Sequence, residues 1–191
     1  MKEIISSQIS ASIEAKKQLL SEHYLEIIFY MAKILIDAYK QGNKVLLCGN
    51  GGSASDAQHI EGELVGRFKM ERRALPAIAI TANTSTITAI ANDYSYDDVF
   101  KRAVEAHGKS GDVLIAISTS GNSQNVILAA EQAKKQGMKV IGLLGRSGGK
   151  LEKLSTVAFV APSNDTPRIQ ECHILVGHIL CDLIERGVFG E

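Results

Sequence analysis

Proline is scarce, three residues in 191, whereas glycine occurs 17 times. Glycine without proline, with neither gathered into a tract, points to tight turns between regular elements. An excess of either charge is also missing: 21 basic and 21 acidic residues cancel. Such a chain has no overall field to steer it onto a polyanion, so nucleic acid is not an expected partner. Nor does any stretch approach the roughly 20 consecutive apolar residues that span a bilayer, and no membrane association is expected. The opening MKEIISSQISASIEAKKQLL lacks the apolar run of a signal peptide and carries acidic residues that transit peptides avoid. Cysteine is nearly absent. Cys48, Cys172 and Cys181 form neither a close ligand pair nor a disulfide ladder, and read as buried small hydrophobes in a reduced, cytoplasmic protein.

What is present is an ordinary globular composition, 45% hydrophobic and 22% charged, at a length usual for one domain. Helical spacing predicts helices over 3–20 and 22–40, with Gly42 as a stop. The first carries a narrow stripe, Ile5, Ile9 and Ile13, of the kind that meets a partner chain. From 44 onward, short apolar runs alternate with helical stretches. Strands are predicted at 44–48, 76–81, 112–118, 139–145 and 156–161, and helices near 54–65, 85–91, 96–107, 123–136, 149–154 and 168–186. The strands are continuously apolar rather than alternating, as when helices cover both faces of a parallel sheet. The expectation is a single three-layer α/β/α sandwich with a five-stranded parallel sheet. Residues 1–42 form an N-terminal helical oligomerisation segment and 43–191 the α/β core.

Ligands of open α/β sheets bind beyond the carboxyl ends of the strands, and two loops leave such ends here. Gly49–Ala54, GNGGSA, exposes backbone and offers the Ser53 hydroxyl at a helix start. It lacks the G-x-G-x-x-G spacing and the later acidic residue of a dinucleotide site, and a plain tight turn also explains it. Ser118–Ser123, STSGNS, places four hydroxyls and a glycine before a helix. Free N–H groups there suit a phosphate, although a polar loop with a Ser/Thr cap has the same composition. Without a Walker lysine, a phosphate monoester fits better than a triphosphate.

His59 and Glu63, four apart, share one face of the predicted helix after the first loop. Gln170 and His178, eight apart, share a face of the last helix. His59, Glu63 and His178, with Gln170 as a weaker ligand, are a plausible zinc set; the same groups suit enediol proton transfer without metal. Spacing alone does not join the two helices. His23 and His107 read as surface or packing residues. His173 turns about 140° away from His178, which suits an indirect or interface role. Asp56, three after Ser53, suits a capping box. Arg67, Arg72 and Arg73 form a modest positive cluster, either a solvated loop or an aid to substrate phosphate.

GNGGSASDAQHIEGELVGRF (49–68), PAIAI (76–80), ANDYSYDDVF (91–100), GDVLIAISTSGNSQNVI (111–127), GMKVIGLLGRSGGK (137–150) and RIQECHILVGHILCDLIE (168–185) together resemble the sugar isomerase (SIS) fold family. Within it they are most similar to the phosphoheptose isomerases, across nearly the whole chain. The STSGNS loop alone marks only a phosphosugar-binding SIS domain. H-x-x-x-E after GNGGS, with Q-x7-H in the last helix, is much more specific.

The resemblance implies isomerisation of D-sedoheptulose 7-phosphate to D-glycero-D-manno-heptose 7-phosphate, the first step toward ADP/GDP-heptose precursors of lipopolysaccharide. It also implies a homotetramer with active sites at subunit interfaces, and zinc. By position, Glu63 and His178 match the catalytic pair, and His59, Glu63, Gln170 and His178 the metal ligands. Asn50, Gly51, Gly52, Ser53, Asn92, Asp93, Ser118, Thr119, Ser120 and Ser123 match substrate contacts, joined by His59, Glu63 and Gln170. One departure stands out: Pro167 occupies a position where many members carry aspartate, with Asp165 two residues earlier. Two rival expectations are a non-catalytic SIS scaffold or phosphosugar sensor, and an isomerase of another ketose phosphate.

Overall fold

The computed structural model describes residues 1–190. Two helices, α1 (Lys2–Gln18) and α2 (Glu22–Lys40), precede β1 (Val45–Cys48) and α3 (Gly52–Val65). Then come β2 (Ala77–Ala79), α4 (Thr84–Asp93), a 3-10 turn (Tyr96–Asp98) and α5 (Val99–His107). The chain continues through β3 (Val113–Ser118), α6 (Gln124–Lys135), β4 (Lys139–Leu144), α7 (Gly149–Leu154), β5 (Val157–Val160) and α8 (Thr166–Phe189). All five strands pair in parallel in the order β2-β1-β3-β4-β5. Every predicted element is present. β2 is half its predicted length and α8 runs on to Phe189, and the shift that bears on the site is α3, which begins at Gly52, within the glycine loop, rather than at 54.

The apolar runs explain the layers. Alternate strand residues point to opposite faces, so Val45, Leu47, Val113, Ile115 and Ile117 pack beneath α2, α3 and α8. Leu46, Cys48, Leu114, Ala116 and Val140 instead meet α5, α6 and α7. Both β1 and β3 are buried along their whole length, as continuous apolar sequence requires. Met31 and Leu35 of α2 are fully buried, which makes that helix part of the sandwich. In contrast, α1 buries only Ala15 and leaves Ile4, Ile5, Ile9 and Ile13 in solvent. The three cysteines are free and buried, as composition predicts. Burial pushes the Cys48 thiol up to about 12, so it packs as a neutral hydrophobe.

The strand order reverses between β1 and β3, because β1 is followed outward by β2 on one side while β3 leads to β4 on the other. That switch point opens a crevice between the loops leaving the two strands. They are the GNGGSA and STSGNS loops.

Candidate active site

Helix α3 lies on the same layer as α8, and a missing side chain lets them approach. A Cβ at Gly177 would stand 2.7 Å from the Ile60 Cδ1 atom, so Ile60 fills the space a larger residue would take. The neighbours of this contact, His59 and His178, thereby meet. Their Nε2 atoms are 2.8 Å apart, and His59 Nε2 is 3.3 Å from Glu63 Oε1. Ligand atoms of His59, Glu63 and His178 all lie within 4.8 Å of one another. The ring of Phe68 stacks on His178 with centroids 5.6 Å apart and planes 15° from parallel.

Gln170, two turns before His178, faces the start of α3. A Cβ at Gly52 would fall 2.6 Å from its Nε2, and that amide donates to Asp56 Oδ1 at 3.3 Å. Asp56 therefore does not cap α3, as the sequence suggested. The helix starts earlier than predicted, with Gly51 as its N-cap, which carries Asp56 past the first turn and turns it toward α8. Its Oδ2 is buried and has no hydrogen-bond partner among the described residues. Burial raises the Asp56 pKa, offset in part by the Gln170 hydrogen bond and the nearby His59.

Across the crevice the two loops are tied together. Asn50 Nδ2 donates to Asn125 Oδ1 and Asn125 Nδ2 donates to Asn50 Oδ1, both at 2.9 Å. Tyr96 Oη donates to the same Asn50 oxygen at 3.0 Å, bringing the segment after α4 against the first loop. Within the second loop the Ser118 and Ser123 hydroxyls are 3.0 Å apart, and the Asn122 N–H donates to Ser120 Oγ at 3.1 Å. Gly121 has φ of 66°, and a Cβ there would overlap the Gly148 carbonyl. Ser123 precedes α6 without capping it by its side chain, which leaves its hydroxyl with Ser118 at the head of a helix N-terminus. Ser53 is buried in the first turn of α3.

Other predicted residues stand farther from this geometry. Asn92 and Asp93 end α4, exposed, with the Asn92 amide donating to Asp93 at 2.9 Å. Asp165 is the N-cap of α8 without a side-chain cap, and Pro167 sits comfortably in the first turn. His23 and His107 are exposed. His173 is fully buried, 2.7 Å from the Leu144 carbonyl through Nε2. Burial lowers its pKa to about 4, the carbonyl contact opposing only in part, so it is neutral at pH 7.

The arginine cluster divides. Arg67 is exposed and pairs with Glu71, whereas the Arg72 side chain is 2% exposed and its Nε donates to Glu185 at 3.0 Å. Neither a solvated loop nor a phosphate contact describes Arg72: its guanidinium is consumed by Glu185 and by the end of α3. Sequence reasoning missed Asn125, Tyr96, Phe68 and Glu185. Only Glu185 left a signal, a carboxylate between buried apolar positions of α8, which demands a buried partner.

Two imidazoles and a carboxylate within 4.8 Å are a donor set that zinc accepts in open, catalytic sites. The residues fit such an ion. A cavity of about 710 Å³ lies elsewhere, at β5, lined by His23, Tyr24, Arg146, Ser155 and Asn164 among others, and includes none of the candidate residues.

The SIS domain family matches residues 9–145. A phosphoheptose isomerase of Clostridium acetobutylicum is 55% identical over 192 aligned positions, covering 100% of this chain and 98% of that protein. The solved phosphoheptose isomerase of Francisella tularensis superposes with a TM-score of 0.93 at 40% identity, covering 96% of this chain and 97% of the other. That of Neisseria gonorrhoeae gives 0.91 at 42% identity, covering 96% and 98%.

Proposed function

This chain belongs to the SIS domain family, and from that premise we propose that it is a phosphoheptose isomerase. The reaction is conversion of D-sedoheptulose 7-phosphate to D-glycero-D-manno-heptose 7-phosphate, which supplies precursor for ADP/GDP-heptose and lipopolysaccharide in the cytoplasm. The observation that carries the reading is the convergence of His59, Glu63 and His178 beside a crevice walled by a hydroxyl-rich loop.

Ser118, Thr119, Ser120 and Ser123 receive the phosphate, with N–H groups at the start of α6 as further donors. Asn50, Gly51, Gly52, Ser53, Asn92 and Asp93 contact the sugar, and Gln170 the end that reacts. Glu63 removes a proton from C1 of the open-chain ketose, giving a cis-enediolate, and a proton returns at C2 to give the aldose. His178 moves the remaining proton from the C1 oxygen to the C2 oxygen. His59, Glu63 and His178, with Gln170 as a weaker ligand, would hold zinc, which would supply positive charge beside the sugar's reacting oxygens.

The working unit is a homotetramer. In support, α1 and α2 leave Ile4, Ile9, Ile13 and Phe29 exposed, apolar surface that a soluble monomer seldom keeps.

The deciding experiment incubates metal-replete protein with sedoheptulose 7-phosphate and resolves the heptose products, with sedimentation in parallel. An aldoheptose 7-phosphate product from a four-chain species is expected. No product, together with turnover of another ketose phosphate, selects a different isomerase; no turnover of any selects a sensor.

A further inference from the structure

The Glu63 and His178 pair leaves one buried ion pair without a task. Glu185 is fully buried on α8, about two turns beyond His178. Its Oε1 accepts the Phe68 N–H at 2.9 Å and Arg72 Nε at 3.0 Å. Its Oε2 accepts the Lys69 N–H at 2.8 Å and the Met70 N–H at 2.9 Å. Three consecutive backbone N–H groups converging on one anion form a nest, here filled by the chain's own carboxylate. Arg72 reaches the other way. Its Nη2 donates to the Glu63 carbonyl and its Nη1 to the Leu64 carbonyl, both at 2.8 Å. One ion pair thus grips the last turn of α3, which carries Glu63, and the backbone of the residue whose ring lies on His178.

A buried ion pair gains little net stability over apolar residues of the same volume. A loop held at four points, however, gives the ring at its start a single orientation. We infer that Phe68, locked by Glu185 and Arg72, is a positioning residue for His178: its stacked ring fixes the imidazole plane so that Nε2 faces His59 and the reacting atoms. The inference rests on the reading of His178 as a reacting group, and its effect belongs in kcat rather than in substrate binding.

The test compares Phe68→Leu, which removes the ring, with Phe68→Tyr, which keeps it. Phe68→Leu is expected to lower kcat about tenfold with KM within about twofold, a loss typical of a slightly misplaced reacting group. Phe68→Tyr restores kcat. A readout independent of turnover is the His178 Cε1 proton resonance of the metal-free protein, assigned by its loss in His178→Gln. Phe68→Leu should abolish its ring-current shift and Phe68→Tyr keep it. Phe68→Met serves as a second ring-free variant if the first does not fold. The inference is overturned by a ring-free variant with wild-type kcat, by an unmoved His178 resonance, or by failure of both ring-free variants to fold. Wild-type kcat in His178→Gln instead removes the underlying reading of His178, which the resonance shift does not test.

Discussion

His59 and His178 bring their Nε2 atoms to 2.8 Å although 119 positions separate them in the chain. Two imidazoles that face each other this closely satisfy the contact when one donates an N–H to the lone pair of the other, or when both turn lone pairs toward a cation. The arrangement therefore suits either proton transfer or metal ligation, and removal of single groups separates the two.

Glu63→Gln keeps the shape of the side chain and loses the base. Turnover is expected to fall by at least about a thousandfold, the range for a lost general base and more when it also starts the reaction. Phosphate-end affinity should persist. Calorimetric titration with substrate, beside a steady-state assay, checks both; near-normal kcat would remove Glu63 from its role.

Dialysed wild-type protein is expected to retain one zinc per chain by elemental analysis, and His59→Ala to retain none. Chelation should lower the melting temperature and zinc restore it, because an ion bound only to the folded state stabilises by linkage. Equal zinc content in the two proteins would contradict the ligand assignment.

Ser120 Oγ accepts the Asn122 N–H and lies in the loop at the head of α6. Ser120→Ala is expected to raise KM for the phosphosugar by about tenfold, as one lost hydrogen bond to a charged group predicts, with a much smaller change in kcat. An unmoved KM argues that the loop serves the fold alone.

Gly177→Ala would press a methyl group to 2.7 Å from Ile60 Cδ1. The interior is packed, so the two helices must part, at an expected cost of about 1–3 kcal/mol. Denaturant midpoints should fall and activity with them. Ile60→Val removes the nearer opposing atom, Cδ1, while Cγ1 stays at 3.0 Å, and is expected to rescue Gly177→Ala in part in the double variant. Additive losses would mean that the close approach does not govern the site.

Stability should decline as acid is added, in two stages. His173 binds its proton near pH 6.5 when unfolded but only near pH 4 when folded. Between those values the unfolded chain holds more protons, so the stability present above pH 6.5 is lost progressively toward pH 4, by at most about 3 kcal/mol. Burial pushes the Glu185 carboxyl up, but three backbone donors and Arg72 outweigh it and hold it below its ordinary value. Its contribution is present above the unfolded pKa and is lost at still lower pH, as acid passes through the folded value. Urea midpoints across this range measure both, and His173→Gln should flatten only the upper stage.

The layers were legible because apolar runs and helical spacing are local. The run 112–118 reads as a two-face-buried strand from its own residues, and Val113–Ser118 is one. The His59–Glu63 face was legible for the same reason, as a spacing within one helix. Contacts made by two distant segments were hidden from spacing, and only the resemblance joined His59 and Glu63 to His178. Asn50 meets Asn125 only because β1 and β3 are neighbours at the switch point. Arg72 read as a solvated loop residue or an aid to substrate phosphate, since nothing near it in sequence announces Glu185. Asp56 misled because the capping pattern presumes where a helix starts, and Gly51 allowed an earlier start.

Helix α8 supplies Gln170, His178 and Glu185, as well as much of the apolar layer over β1 and β3. It also leaves the ribosome after every other described element. The half of the site on α3 is synthesised more than a hundred residues ahead of its partner, so during translation it waits as an open face with no opposing histidine, no Gln170 and no anchor for the Phe68 loop. Completion of the fold and assembly of the candidate site are thus one event in time: a chain stopped short of α8 leaves the apolar layer over β1 and β3 uncovered and the candidate site without Gln170 and His178.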